Sequence, residues 1–229
     1  MIKAIIFDLD NTLIDFMTMK NKSVEGAIAA MRDAGLKISD KNAEKILFKL
    51  YGIYGIEYQK IFQVFLKQVQ GKVDYKLLTN AIVGYRKVQR KLMRTYPNVK
   101  STLEKLKKKG IVLAILTDAP RIRAWLRLAE LGLTDYFDHV VCFEDTHIKK
   151  PNKKPFVLML KKLNLNPKDV LMVGDSLNKD IAGAKSLGMI TCYAKYGEIG
   201  FKTKEKVKPD YVIHSIEKII DIVGGQQNE

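Results

Sequence analysis

Five short stretches set residues able to do polar chemistry close behind apolar runs. Asp8-Leu9-Asp10-Asn11-Thr12 follows the apolar run Ile5-Ile6-Phe7, and Thr117-Asp118 follows an apolar run over 111–116. Glu144-Asp145 and then Lys149-Lys150-Pro151 come after residues 139–143. Gly174-Asp175-Ser176 follows 170–173, with Asp180 further on. Carboxylates gathered in one place repel each other, and a hard cation makes such a gathering tolerable. Mg²⁺ takes oxygen ligands and is often held by one or two carboxylates together with a substrate phosphate. By neutralising phosphate it lets an anionic nucleophile approach, while a lysine and a hydroxyl hold the phosphoryl oxygens. A carboxylate nucleophile forms an acyl phosphate that water later opens. A second carboxylate can protonate the leaving group and then activate that water.

Such chemistry requires elements whose ends converge. Residues 2–9 read as a first strand, β-branched and apolar, closed by acidic and turn residues. From Asn98 onward short apolar runs alternate with amphipathic ones. Residues 99–109 predict a helix stopped by Gly110, 111–116 a strand, and Pro120 the start of a helix followed by Gly132. Residues 139–143 predict a strand, 155–163 a helix, 170–173 a strand, and 179–187 a helix closed by Gly188. Residues 190–193 and 211–213 predict short strands, and 216–223 a terminal helix. Strands separated by helices imply an α/β class with a doubly wound parallel sheet. In such sheets ligands bind beyond the carboxyl ends of the strands, which is where the acidic stretches fall. Residues 16–95, by contrast, look wholly helical. Gly35 closes a first helix, Asp40 caps a second running toward Tyr54, 57–70 form a third ended by Gly71, and Asp74 caps a last one reaching Arg94. Tyr96-Pro97 breaks the pattern. The expected organisation is a core of residues 1–15 and 96–229 carrying an inserted all-helical domain over 16–95.

The 229 residues carry 40 Lys/Arg and 25 Asp/Glu, a formal charge of +15. Residues 16–95 hold 16 Lys/Arg against 6 Asp/Glu, so +10 of the excess sits in the helical insertion. A basic surface attracts phosphorylated metabolites, nucleic acid or anionic membrane; a lysine-rich solvated face is the plain alternative. With 47% hydrophobic and 28% charged residues the composition is globular. No apolar run approaches the roughly 20 residues of a membrane span, and Asp8 and Asp10 cut the N-terminal run short of a signal peptide. Cys142 and Cys192 lie in apolar stretches, which points to buried reduced thiols in a cytoplasmic protein and against a disulfide framework. His139, His147 and His214 lack zinc-ligand spacing.

On these residues the chain resembles the haloacid dehalogenase (HAD) superfamily of hydrolases. That family's DxDxT motif is matched by Asp8-Leu9-Asp10-Asn11-Thr12, its strand-end Thr or Ser by Thr117, its Lys by Lys150 before Pro151, and its GDxxxxD by Gly174-Asp175 through Asp180. The four stand in the family's order and the resemblance spans the whole chain. It implies a HAD-like Rossmannoid core with residues 16–95 as a helical C1 cap, Mg²⁺ as cofactor, and a small phosphorylated metabolite as substrate. It further implies Asp8 as nucleophile and metal ligand, and Asp10 as general acid/base with its backbone carbonyl on the metal. Asp175 would be the remaining direct metal ligand, Thr117 and Lys150 the phosphate-binding residues, and Asp180 a support just outside the direct ligands. Leu116-Thr117-Asp118, Trp125 and Tyr136-Phe137 are similar to a group of archaeal phosphatases of the superfamily. Ala119 departs from the pattern, since many members carry Gly there; this bears on substrate more than on chemistry.

Plainer roles compete at several positions. Thr117 could cap the next helix, and Asp118 competes for that cap. Lys149, Lys153 and Lys154 surround Lys150, and the following Pro favours Lys150. Asp180 sits early in a helix, where a carboxylate is favourable for electrostatic reasons alone. Phe48, Tyr51, Tyr54, Tyr58, Phe62 and Phe65 read as the core of a helix bundle. Arg86 and Arg90 share a helix face, solvated or reaching a second anionic group. Gly84 marks a close contact or a flexible point, and Trp125 is expected to pack under its helix. Against the phosphatase stand a dehalogenase, which has no use for Asp10, a phosphomutase, and a basic module whose binding would weaken steeply with salt. No membrane partner is expected, nucleic acid is not the expected partner, and a homodimer is left open. A cap closing over the core would admit only small substrates.

Overall fold

The structure, a computed structural model, describes residues 1–198 and 207–225. They divide into two compact units, Phe16–Met93 on the one hand, and Met1–Asp15 with Arg94–Glu229 on the other. No helix among the described residues is long and apolar enough to cross a membrane.

The unit Phe16–Met93 consists of helices α1 (Phe16–Asp33), α2 (Asp40–Tyr54), α3 (Ile61–Gln70) and α4 (Tyr75–Leu92). Apolar side chains at helical spacing, such as Val24, Ala27, Ile28 and Met31 on α1 and Ile61, Phe62, Phe65 and Leu66 on α3, close on one another as a single core. α1 and α4 meet at two glycines. A methyl on Gly84 would stand 2.5 Å from the Gly26 carbonyl oxygen and 2.7 Å from Ala30 Cβ, so Gly84 serves close packing and not flexibility. Ser39, not Asp40, caps α2, its hydroxyl accepting from the Asn42 N–H. The third helix begins at Ile61 and not at residue 57, because Gly55 (φ 92°) ends α2 and the chain then turns, the Gln59 amide donating to the Glu57 carbonyl. Asp74 accepts from the N–H groups of Lys76 and Leu77, and α4 stops short of Arg94. Tyr54 lies outside the core, half exposed and stacked on Tyr58. Lys20 is buried, its ammonium 4.1 Å from the Tyr51 ring centre and 5.1 Å from that of Tyr85, which offsets part of its desolvation.

The other unit is built on a sheet of β1 (Ala4–Phe7), β2 (Val112–Leu116), β3 (His139–Val141), β4 (Val170–Gly174), β5 (Ile190–Ala194) and β6 (Tyr211–Ile213). All pairings are parallel, in the order β3-β2-β1-β4-β5-β6. β1 is central and its four apolar residues are all buried. Ala4, Ile6, Ala114, Leu116, Val170 and Met172 face a layer containing Phe156, Met159 and Ala184. Alternation turns Ile5, Phe7, Leu113, Ile115, Leu171 and Val173 to the opposite face, where they are equally buried. Helices α5 (Val99–Lys108), α6 (Arg121–Glu130), α7 (Phe143–Thr146), α8 (Lys153–Leu163), α9 (Ala182–Lys185) and α10 (Ile219–Gly225) complete the unit.

In this unit three local features differ from the sequence expectation. The strand expected over 139–143 ends at Val141, because the Asp145 carboxylate accepts from the Cys142 N–H at 2.8 Å and starts α7 instead. The helix expected over 179–187 divides into a π turn (Leu177–Ile181) and α9, since the Ser176 carbonyl accepts from both Asp180 and Ile181. Trp125 is 40% exposed and does not pack beneath α6. Cys142 and Cys192 are buried and form no disulfide.

The sheet order reverses beside β1, and the register sets Phe7 level with Ile115 of β2 and Val173 of β4. The residues that follow, Asp8, Leu116-Thr117 and Gly174-Asp175, therefore leave the sheet side by side, at the kind of crevice where open α/β sheets bind ligands.

Candidate active site

Asp8 prolongs the β1–β4 ladder by one bond, its N–H donating to the Val173 carbonyl at 2.9 Å. Beyond it the chain reverses at Asn11 (φ 61°), and the N–H groups of Leu13 and Ile14 return to the Leu9 carbonyl. The turn buries Thr12, whose hydroxyl accepts from the Asp175 N–H at 3.1 Å and donates to Asp175 Oδ1 at 3.2 Å. The last residue of the first acidic stretch thus clamps the aspartate of the other. A second brace comes from the end of β5. The Tyr196 hydroxyl donates to the Thr12 carbonyl at 2.8 Å, and a Cβ on Gly197 would stand 1.7 Å from the Asn11 carbonyl oxygen.

Lys150 joins these strand ends. Its buried ammonium lies 2.7 Å from Asp8 Oδ1 and 2.7 Å from Asp180 Oδ1, and donates to the Leu116 carbonyl at 2.8 Å. Lys149, Lys153 and Lys154 are exposed. The Lys150-Pro151 peptide is cis, and the Lys150 N–H donates to Asp118 Oδ1 at 3.0 Å. Asp118 accordingly anchors the lysine and does not cap α6; Pro120 precedes that helix, and Glu144 accepts from the Arg121 N–H at 2.7 Å. Thr117 is buried, and its hydroxyl accepts from the Ala119 N–H at 3.1 Å. Asp180 is brought in by the π turn and accepts from the Ser176 N–H at 3.1 Å. Its carboxylate crosses the face of Gly174, where any side chain would collide with it.

Carboxylate oxygens of Asp8, Asp175 and Asp180 all lie within 4.8 Å of one another. Burial and then the Asp8 and Asp180 charges push the Asp175 carboxyl up to about 9, with Lys150 opposing. Burial raises Asp180 to about 6, again against the pull of Lys150. Burial alone would lower Lys150, but Asp180, Asp8 and Asp118 outweigh it and hold the side chain as an ammonium. Three buried carboxylates against this ammonium leave a surplus of negative charge, which a hard cation among their oxygens would balance.

Of the residues singled out from the sequence, the fold brings Asp8, Lys150, Asp175 and Asp180 into one cluster. Thr117 stands at the adjacent strand end, next to the carbonyl that Lys150 touches. The Asp10 carboxylate is not one of the three clustered carboxylates, and its Oδ2 lies 2.7 Å from Nη1 of buried Arg127 on α6.

The sequence profile of a family described as haloacid dehalogenase-like hydrolase matches residues 2–188. The chain belongs to the haloacid dehalogenase-like hydrolases. This hydrolase is 38% identical to a glyceraldehyde 3-phosphate phosphatase of Methanocaldococcus jannaschii, with 97% of each chain covered. It is 33% identical to the enzyme of the same name from Pyrococcus furiosus, over 97% of this chain and 93% of that one. A solved HAD phosphatase from Thermococcus onnurineus superposes with a TM-score of 0.68 at 28% identity, covering 98% of this chain and 99% of the other. Sequence reasoning did not single out Arg127, Tyr196 or Gly197 in this hydrolase. For Arg127 a signal existed, because it falls in the stripe formed by Ala124 and Leu128, the face that α6 buries. For Tyr196 and Gly197 none did, since their role depends on a loop far away in the chain.

Proposed function

We propose that this hydrolase is a Mg²⁺-dependent phosphatase that cleaves a small phosphate monoester through an aspartyl-phosphate on Asp8. The observation that carries the reading is Asp8 itself. One oxygen is held at 2.7 Å by a buried ammonium, in a cluster with two further carboxylates whose oxygens lie within 4.8 Å. The crowding that drives Asp175 up to about 9 fits a divalent cation, and an all-oxygen donor set suits Mg²⁺. Asp8 and Asp175 would hold it with the Asp10 backbone carbonyl, and Asp180 would support both Asp175 and Lys150. When bound, the ion supplies neutralisation of phosphate charge.

The residues of this chain then divide the work. Lys150 and the Thr117 hydroxyl hold phosphoryl oxygens, and Lys150 orients Asp8. An Asp8 oxygen attacks phosphorus, the ester P–O bond breaks, and the Asp10 carboxyl gives its proton to the departing oxygen. Water then attacks the phosphorus of the aspartyl-phosphate and gives a proton to Asp10. The bond to Asp8 breaks, phosphate leaves, and both aspartates return to their starting states. The basic helical unit Phe16–Met93 is proposed as a cap that limits access to small anionic substrates. Because the relatives are named for it, glyceraldehyde 3-phosphate is the first substrate to assay.

The test is phosphate release from glyceraldehyde 3-phosphate with Mg²⁺, repeated with excess chelator and with Asp8→Asn. Both changes are expected to abolish turnover; release that survives both overturns the reading.

A further inference from the structure

Helix α6 sorts its residues against hydrophobicity. Ile122, Trp125 and Leu126 are exposed, while Arg127 is 4% exposed between buried Ala124 and Leu128. Burying a guanidinium is costly unless a partner compensates it, and leaving a tryptophan and a leucine partly in water gains nothing. The arrangement follows from what Arg127 meets, the Asp10 carboxylate at 2.7 Å, 117 residues earlier in the chain. Arg121, the first residue of the helix, is by contrast exposed and pairs with Asp145.

We infer that Arg127 is a positioning residue that holds the Asp10 side chain in place for proton transfer. This rests on the reading of Asp10 as general acid and base given above. Asp10 lies in a loop with a left-handed residue beside it, and the Asp8–Lys150 contact orients Asp8, not Asp10. A charge-assisted bond from a side chain locked in a helix face fixes both the direction and the rotamer of the carboxylate. A displacement of about 1 Å at such a group can lower the rate by about 10²-fold, so the pair bears directly on the reaction.

The experiment compares two monoesters in the Mg²⁺-loaded full chain. Glyceraldehyde 3-phosphate releases an alkoxide and needs protonation, whereas p-nitrophenyl phosphate releases a phenolate that leaves without it. The ratio of kcat/KM, alkyl over aryl, is read for wild type, Arg127→Gln, Arg127→Lys, Asp10→Asn and the double variant Asp10→Asn/Arg127→Gln. Arg127→Gln is expected to lower the ratio by about 10-fold or more through loss of positioned acid catalysis. Arg127→Lys is expected to restore part of it. In the Asp10→Asn background the Arg127 change is expected to leave the ratio where Asp10→Asn alone puts it. Equal losses on both esters, or a ratio unchanged in Arg127→Gln, would mean that the pair only holds α6 in place, and the inference falls. If Arg127→Gln does not fold, side-chain ¹⁵N NMR of wild type against Asp10→Asn decides. A guanidinium of Arg127 that rotates slowly in wild type and freely in Asp10→Asn supports the pairing, and equal mobility in both overturns it. A full alkyl rate in Asp10→Asn would instead remove the acid/base assignment of Asp10, an outcome separate from any result at Arg127.

Discussion

Replacing Gly174 by alanine would place a methyl carbon 2.3 Å from Asp180 Oδ2, 2.4 Å from its Cγ and 2.5 Å from its Cβ. Ordinary contact begins near 3.4 Å, so the side chain must retreat by about 1 Å. Because Asp180 Cβ is itself too close, turning the carboxylate does not relieve the clash, and the π turn that carries it must shift. The retreat lengthens the 2.7 Å contact with Lys150 and the 3.1 Å bond from the Ser176 N–H. Overpacking costs about 1–3 kcal/mol, and stripping a buried ion of a partner costs about 3–5 kcal/mol. Lys150 keeps Asp8 as a second partner, so a loss of about 2–4 kcal/mol in folding stability is expected. A lysine displaced on the same scale should lower kcat/KM for phosphate release by about 10²-fold. Denaturant unfolding and a Mg²⁺-dependent phosphate-release assay read the two effects. Gly84→Ala is the control, since it carries a comparable clash within the helical unit, against Gly26 and Ala30. Wild-type turnover in Gly174→Ala, or a loss no larger than that of Gly84→Ala, would refute the claim that this glycine sets the place of Asp180.

Gly84→Ala itself should destabilise the protein by about 1–3 kcal/mol through forced separation of α1 and α4, seen as a lower unfolding midpoint with an unchanged Mg²⁺ requirement. Stability of the chelated protein should fall as pH rises. The folded Asp175 carboxyl titrates near 9 against an ordinary 3.8, so between those values the folded state binds a proton that the unfolded state has lost. The slope from one such group is at most about 1.4 kcal/mol per pH unit, and saturating Mg²⁺ should flatten it. Thermal midpoints from pH 5 to 9 with and without chelator measure this, and a midpoint that climbs over that range in chelator contradicts the assigned crowding.

The sheet was legible because its strands are short, apolar and closed by acidic or turn residues, and such local patterns survive folding unchanged. Residues 170–173 and 190–193 read as strands and lie within β4 and β5. Helix ends were legible where a capping chemistry was local, as at Asp74 and Gly71. They were misread where a neighbour in space or an unusual turn took over. Asp145 cuts β3 short, and Ser176 draws the chain into a π turn. The acidic stretches and Lys150 stood out as candidates from type and spacing alone. Which of the neighbouring lysines is buried was decided by packing, since only Lys150 meets the strand ends.

By itself the sequence determined the α/β class, the helical character of residues 16–95, and the set of carboxylates able to gather at strand ends, because apolar period and turn chemistry act over a few residues. Only the tertiary structure decided who meets whom: Thr12 with Asp175, Gly197 with Asn11, and Arg127 with Asp10. These partners lie on different elements, and no local pattern in either one carries the distance between them. The order of strands around β1 sets that distance, and the burial it imposes gives each pair its strength.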